Sequence, residues 1–348
     1  MDAKKNNAVK DLISKLGPLL ILVVLCAGLG IATGGRFFAP ANIANIFRQV
    51  PIIALMAVGM LCVILLGGID LSAGSLLAIG IMASGVMMQK FFSADTFINS
   101  VILIIVCLVV STLCGTINGL LLTKLHLPHP FIATLGMKNI CRGLALLISG
   151  SAAIAGFPKA TLVIGAKDIF AIGQFALPLS FLVTIVVYII MHIFLSRTPL
   201  GRKIYSFGGN SEAARLAGIN TDRVQIFCYS MSGFMCGLAG VIYIGRLNSA
   251  VPLATQEGDL DAIASCIIGG ASFNGGRGNV WSTLIGAFFI QIVRNGCNLL
   301  GVSTDLQQIV IGAVIVIAVF IDVLRTQADA KAKRLAVANK DKEQTAQA

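Results

Sequence analysis

Long apolar runs alternate along this chain with short polar interruptions. The runs fall at about 16–33, 50–66, 73–89, 99–122, 131–150, 176–195, 224–246, 260–271, 279–298 and 306–324. A helix needs ~20 residues to cross a hydrocarbon core, and only 260–271 is too short to do so without its flanks. The longest polar interruption, Ser196 to Arg223, carries Arg197, Arg202, Lys203, Arg215 and Arg223 against Glu212 and Asp222. Lys and Arg resist translocation, so this loop belongs on the cytoplasmic face. If the N-terminal tail shares that face, six crossings must precede the loop. If the basic tail after Leu324 shares it too, an even number must follow, and 260–271 has to count as a crossing. The pattern predicts an all-α integral membrane protein with about ten spans, some short or broken. Residues 1–15 form a cytoplasmic tail, 16–324 the membrane body with its loop at 196–223, and 325–348 a basic cytoplasmic tail.

The loop has internal order. Gly208-Gly209 breaks the chain, Asn210 or Ser211 can cap, and Glu212-Ala-Ala-Arg-Leu-Ala217 reads as a short helix stopped by Gly218. A small helix on the inner face is something a cytosolic partner could grip; a solvated loop that only sets topology is the plainer reading. Two glycine-rich breaks lie elsewhere. Leu66-Gly-Gly-Ile-Asp-Leu-Ser-Ala-Gly74 separates two spans with almost no loop, and Ile268-Gly-Gly-Ala-Ser-Phe-Asn-Gly-Gly-Arg-Gly278 follows a similar plan. Such an echo is expected of transporters built from related halves, whose interrupted helices gather at the substrate path.

Composition agrees with a membrane class. The 348 residues are 57% hydrophobic and 12% charged, where soluble domains carry about 25% charged residues. The net charge of +11 sits mainly on residues 1–15, 196–223 and 325–348, which contribute +2, +3 and +3. Positive-inside topology explains it without nucleic acid, for which no basic, aromatic-interleaved surface exists. The basic start followed by Leu16–Ile31 reads as an uncleaved first span rather than a signal peptide. Nine cysteines lie mostly in apolar runs with no Cys-x-x-Cys, so neither a disulfide framework nor a zinc site is implied.

Few polar residues lie at depth. Asp70 is a functional candidate by default, but with Leu71 and Ser72 it reads as a cap on the following helix rather than a proton relay. Asp261, after Glu257 and Asp259, invites the same reading or an outer-face contact. Asn118, Thr134, Asn139, Gln291, Asn295 and Asn298 carry amides and hydroxyls that could hydrogen-bond a polyhydroxylated solute or simply stitch helices together. Asp70, Ser72, Asn118, Thr134 and Asn295 are the candidates for the translocation path. His126 and His129 flank Pro128 in a turn and lack a third ligand, so no metal site is expected; His192 reads as interfacial. No catalytic triad, paired carboxylate or Gly-x-x-x-x-Gly-Lys phosphate loop occurs, so no enzyme activity and no bound cofactor is expected of this chain.

Several motifs, in order, look familiar. Met56-Ala-Val-Gly-Met60, Gly68-Ile-Asp-Leu-Ser-Ala-Gly74, Pro130-Phe-Ile-Ala-Thr-Leu-Gly136, Gly208-Gly-Asn-Ser-Glu-Ala-Ala-Arg-Leu-Ala-Gly-Ile219, Asp261-Ala-Ile-Ala264 and Ile268-Gly-Gly270 resemble the ribose/xylose/galactose-type permeases of bacterial ABC importers. Asn295-Gly-Cys-Asn-Leu-Leu-Gly-Val-Ser303 is most similar to the ribose permeases among them. The resemblance spans roughly Ala39 to Asp322. It implies a type II-like permease of the bacterial inner membrane, working as a homodimer on a cytosolic ATPase that holds ATP and magnesium. A periplasmic or lipid-anchored sugar-binding protein would deliver the solute. Arg202, Gly208, Asn210, Glu212, Ala213, Arg215 and Gly218 would then form the coupling face. A nucleoside or branched-chain amino acid permease of related fold is the alternative within this class. An ion-coupled secondary transporter is the alternative outside it, and only Asp70 could serve one.

Overall fold

The computed structural model describes residues 19–320 except 126 and 128, together with 322, 323 and 327. The expected tails 1–15 and 325–348 (apart from 327), the start of the first run, and His126 lie outside the described residues. The chain is helical nearly throughout. In order come α1 (Leu19–Ala32), a 3-10 turn (Arg36–Phe38), α2 (Pro40–Leu65), α3 (Ala73–Phe91), α4 (Phe97–Lys124) and α5 (Pro130–Ser149). Then follow β1 (Ile154–Ala155), α6 (Lys159–Ala166), β2 (Asp168–Ile172), β3 (Phe175–Pro178), α7 (Leu179–Arg197), α8 (Pro199–Gly209) and α9 (Ser211–Leu216). The chain continues through α10 (Thr221–Leu247), β4 (Ser249–Ala250), α11 (Gly258–Ile268), α12 (Val280–Leu299) and α13 (Thr304–Phe320). Among the described residues, six helices (α2, α3, α4, α5, α7 and α10) are long and apolar enough to cross a membrane.

Hydrophobicity all round a helix signals burial, and α2 is the central helix for that reason. Residues 50–65 of it are buried without a gap, against α10, α11, α12 and α7. The outer helices show the opposite habit. On α4, Ile98, Val101, Ile105, Val109, Leu113 and Ile117 form an exposed aliphatic stripe at helical spacing, and Leu182, Val186, Ile190 and Ile193 do so on α7. A stripe of that kind is stable only in lipid. The protein is therefore a multi-pass membrane protein.

Small residues set the tightest contacts. A Cβ on Gly115 or Gly233 would collide with the facing backbone where α4 packs against α10, the close approach that small residues permit in membranes. Contacts of α2 with α12 and the segment before it run in antiparallel order, from the side-chain pairs Asn42–Asn295 and Gln49–Gln291 to the backbone bond from Gly276 N–H to Leu65 O. These define two ends of the bundle. One holds α8 and α9; the other holds the two small sheets, where β1 pairs antiparallel with β4, and β2 with β3.

Several boundaries differ from those expected. α2 begins at Pro40, ten residues before the apolar run at 50, because Asn42 and Gln49 find amide partners on α12. The run at 176 begins as strand: Phe175–Pro178 pairs with Asp168–Ile172, and α7 starts only after Pro178. Gly208 and Gly209 do not break the chain. They are the last residues of α8, a helix absent from the expectation, and the break falls at Asn210 in extended backbone.

Candidate functional site

At the α8–α9 end, three backbones meet without side chains between them. α2 ends at Leu65, and Gly67 follows with φ +76°, its N–H bonding Ile64 O while Gly68 N–H bonds Val63 O. α11 ends in the same way, with Gly270 at φ +89° and bonds from Gly270 N–H to Ile267 O and Ala271 N–H to Cys266 O. Positive φ is open to glycine at no steric cost, which is why both helices stop at Gly-Gly. The two breaks then join through the 2.9 Å bond from Gly276 N–H to Leu65 O. α8 lies on this joint. A Cβ on Gly208 would collide with Leu65 O and Gly276 N, and Tyr205 Oη donates to Gly278 O at 2.9 Å.

From this seat the chain turns outward. Asn210 caps α9 by accepting the Ala213 N–H at 2.9 Å, and Gly218 ends it at φ +81°. Arg202, Asn210, Glu212, Ala213, Arg215 and Gly218 are all exposed. Glu212 and Arg215 pair at 2.7 Å one turn apart, and that hydrogen bond holds the Glu212 carboxyl below its ordinary value. Leu216 stands 80% exposed beside them. The helix thus presents one apolar and several charged side chains on a rigid mount.

The five residues expected along a path are buried and are not gathered around a cavity. Asp70 does not cap α3; the first helical residue is Ala73, and Ser72 precedes it. Instead Asp70 Oδ1 accepts from the Ser72 N–H (3.0 Å) and hydroxyl (2.5 Å), and Oδ2 accepts from the Ser232 hydroxyl of α10 (2.7 Å). Asn118 Nδ2 of α4 donates to Ser72 Oγ at 2.8 Å. One carboxylate therefore ties the first break to two other helices. Thr134 donates to Pro130 O and Ile69 O. Asn295 exchanges two amide bonds with Asn42 (2.8 and 3.0 Å), Gln291 bonds Gln49 (2.7 Å), and Asn298 accepts from Gln307 (2.8 Å). Asn139 is exposed on α5.

A second polar centre lies around the N-terminus of α11, an 11-residue helix. Arg294 of α12 clamps Asp261 with bonds of 2.9 and 2.8 Å, and Lys138 of α5 pairs with Asp259 at 2.7 Å. Arg142, one turn beyond Lys138, donates to Pro252 O and Ala254 O in the segment leading into α11. Buried carboxylates are tolerable only with such partners. Reading the sequence for acids alone missed Lys138, Arg142 and Arg294. The signal was there, because basic residues inside apolar runs are candidates by the same rule as acids. Beside this centre, on the sheet-bearing end, opens a cavity of about 380 Å³. Gln49, Tyr243, Arg246, Gln291 and Gln308 line it with Asp261 and Arg294, and of the deep polar residues named from sequence only Gln291 and Asp261 reach it.

Comparison with known proteins finds relatives along most of the chain. A family model described as branched-chain amino acid transport system / permease component matches residues 42–319. The ribose import permease protein RbsC of Bacillus subtilis (strain 168) is 40% identical over 312 residues, 88% of this chain and 92% of the relative. The D-allose transport system permease protein AlsC of Escherichia coli (strain K12) is 36% identical over 308 residues, 88% and 91% of the two chains. The galactose/methyl galactoside import permease protein MglC of Haemophilus influenzae is 30% identical over 335 residues, 93% and 98%. No solved structure matches the chain.

Proposed function

This chain belongs to the family of branched-chain amino acid transport system permease components, and from that membership we propose that it imports a monosaccharide, ribose or a related pentose or hexose. It does so as the membrane subunit of an ATP-driven importer. The relatives named for ribose, allose and galactose support a sugar over an amino acid or nucleoside. The observation that carries the mechanism is the mount of α8 and α9: a capped, exposed helix seated on a joint shared by two broken membrane helices. A push on α9 reaches α2 and α11 through backbone contacts, with no flexible side chain to absorb it. Arg202, Gly208, Asn210, Glu212, Ala213, Arg215 and Gly218 are the residues assigned to coupling, with Leu216 as the apolar anchor.

The α8–α9 end faces the cytoplasm in this reading, as its basic residues require. The chain crosses ten times, α11 completing its crossing with the turns that precede it, and the described chain begins and ends on the inner side. A second copy completes the permease. A cytosolic ATPase holds ATP and magnesium, and a sugar-binding protein docks at the sheet-bearing end. The network of Asp70, Ser72, Asn118 and Ser232 frames the first break rather than lining a path. Asp70 is engaged by three donors, which argues against an ion-coupled carrier. The test is ATPase activity and uptake of the reconstituted chain, alone and with its ATPase and sugar-loaded binding protein. Stimulation only in the full assembly supports the importer; uptake by the chain alone, driven by an ion gradient and indifferent to ATP, refutes it.

A further inference from the structure

We propose that the cavity beside α11 is itself a binding site for one neutral monosaccharide, present in every copy of the chain and entered from the end opposite α8 and α9. The inference rests on the sugar reading above and assigns it a place. A cavity of about 380 Å³ lies at the small end of the range that encloses small ligands, ~300–1,000 Å³, so it takes one sugar ring rather than a chain of them.

Its walls suit such a ring. Amides from Gln49, Gln256, Gln291 and Gln308 come from α2, from the segment before α11, from α12 and from α13, so hydroxyls pointing in different directions all meet a group that can donate and accept. Ile52, Ile53 and Met56 supply an apolar wall for the C–H face. The lining charges balance, Arg246 and Arg294 against Glu257 and Asp261, and one Arg294 nitrogen already donates to both Asp261 oxygens. A neutral solute leaves that balance intact, whereas a charged one would have to break it. The cavity is closed below. Met56 packs at Gly258, and beneath it α2 is buried to Leu65. The site therefore holds its sugar without a through passage, and emptying it inward requires α11 to move against α2 and α12.

The test uses the full chain in lipid nanodiscs, without its ATPase or binding protein, and radiolabelled ribose titrated into the millimolar range. Saturable binding is expected. Gln256→Leu and Gln308→Leu change exposed lining amides that hold no hydrogen bond among the described residues. Each should raise the half-saturating concentration about fivefold, the loss of one neutral hydrogen bond. Ile52→Phe, which fills the cavity from the apolar wall, should lower binding further. No saturable binding by the wild-type chain, or binding unchanged in both glutamine variants, overturns the site. If the assembled importer still takes up ribose in that case, the proposed function stands and only this site falls. If the assembly takes up no monosaccharide, both fall.

Discussion

Replacing Gly208 by alanine adds one methyl group at the point where α8 rests on two other backbones. The added Cβ would sit 2.5 Å from Gly276 N and closer still to Leu65 O. Carbon contacts are comfortable at ~3.5–4.0 Å, so α8 has to retreat by about 2 Å. Overpacking of this kind costs ~1–3 kcal/mol, and straining the bond from Gly276 to Leu65 adds about 1 kcal/mol. Alanine returns up to ~1 kcal/mol in helix propensity. The net is a loss of about 1–3 kcal/mol, concentrated at the joint and leaving the spans intact. Gly209 is the matched control. It follows directly in the same helix, is exposed, and a Cβ there meets nothing within 4 Å. Uptake and sugar-stimulated ATPase activity of the assembled importer read the difference, with abundance in the membrane as the check on insertion. Gly208→Ala should lose at least tenfold in both activities at near-normal abundance, and Gly209→Ala should match the wild type. Equal activity of the two variants would refute the idea that the joint transmits force.

Gly218→Val places a β-branched residue at φ +81°, a conformation costing ~1–2 kcal/mol for an L-residue. It should misplace the end of α9 and lower uptake without lowering abundance; normal uptake would remove α9 from the coupling face. Asp70→Asn keeps an acceptor for Ser72 and should retain most transport, whereas Asp70→Ala abandons three donors and should cost about 2–4 kcal/mol. Thermal unfolding in lipid measures that difference, and a complete loss of transport in well-folded Asp70→Asn would show that the charge itself matters. Arg294→Met leaves Asp261 buried without its partner and should cost about 3–5 kcal/mol. Adding Asp261→Asn should recover much of the loss, and a double variant no better than the single one would show that the pair does not act as a unit.

The sequence made the α8–α9 end legible because its signals are local. A charged loop sets topology, Asn210 caps three residues ahead, and Gly218 stops the helix it follows. It did not make the pairings legible. Asn42 and Asn295 lie 253 residues apart, and nothing near either one names the other. The same separation hid α2's true start, since Asn42 and Gln49 look too polar for a span until their partners are known. Lys138 and Asp259 are 121 residues apart, so the acid stood out only as a neighbour of Asp261 and the base went unread. Of the hairpin at 168–178, only the end of its second strand fell in an apolar run, at 176, where strand and helix start share the same aliphatic residues. Gly208 read as a chain break, whereas it lies within α8 and its missing Cβ permits a close approach that no local signal announces.

The shortness and acidity of α11 bear on how the chain is made. Glu257, Asp259 and Asp261 open an 11-residue helix, and each acid at depth in an isolated span opposes insertion by ~2.5–3.5 kcal/mol. As it leaves the ribosome, α11 has Lys138 already in the membrane but not Arg294, which is 33 residues further on. It should therefore wait at the translocon and enter together with α12 as a hairpin. Synthesis stopped before Arg294 should leave α11 outside the bilayer, accessible to a water-soluble thiol reagent at Cys266.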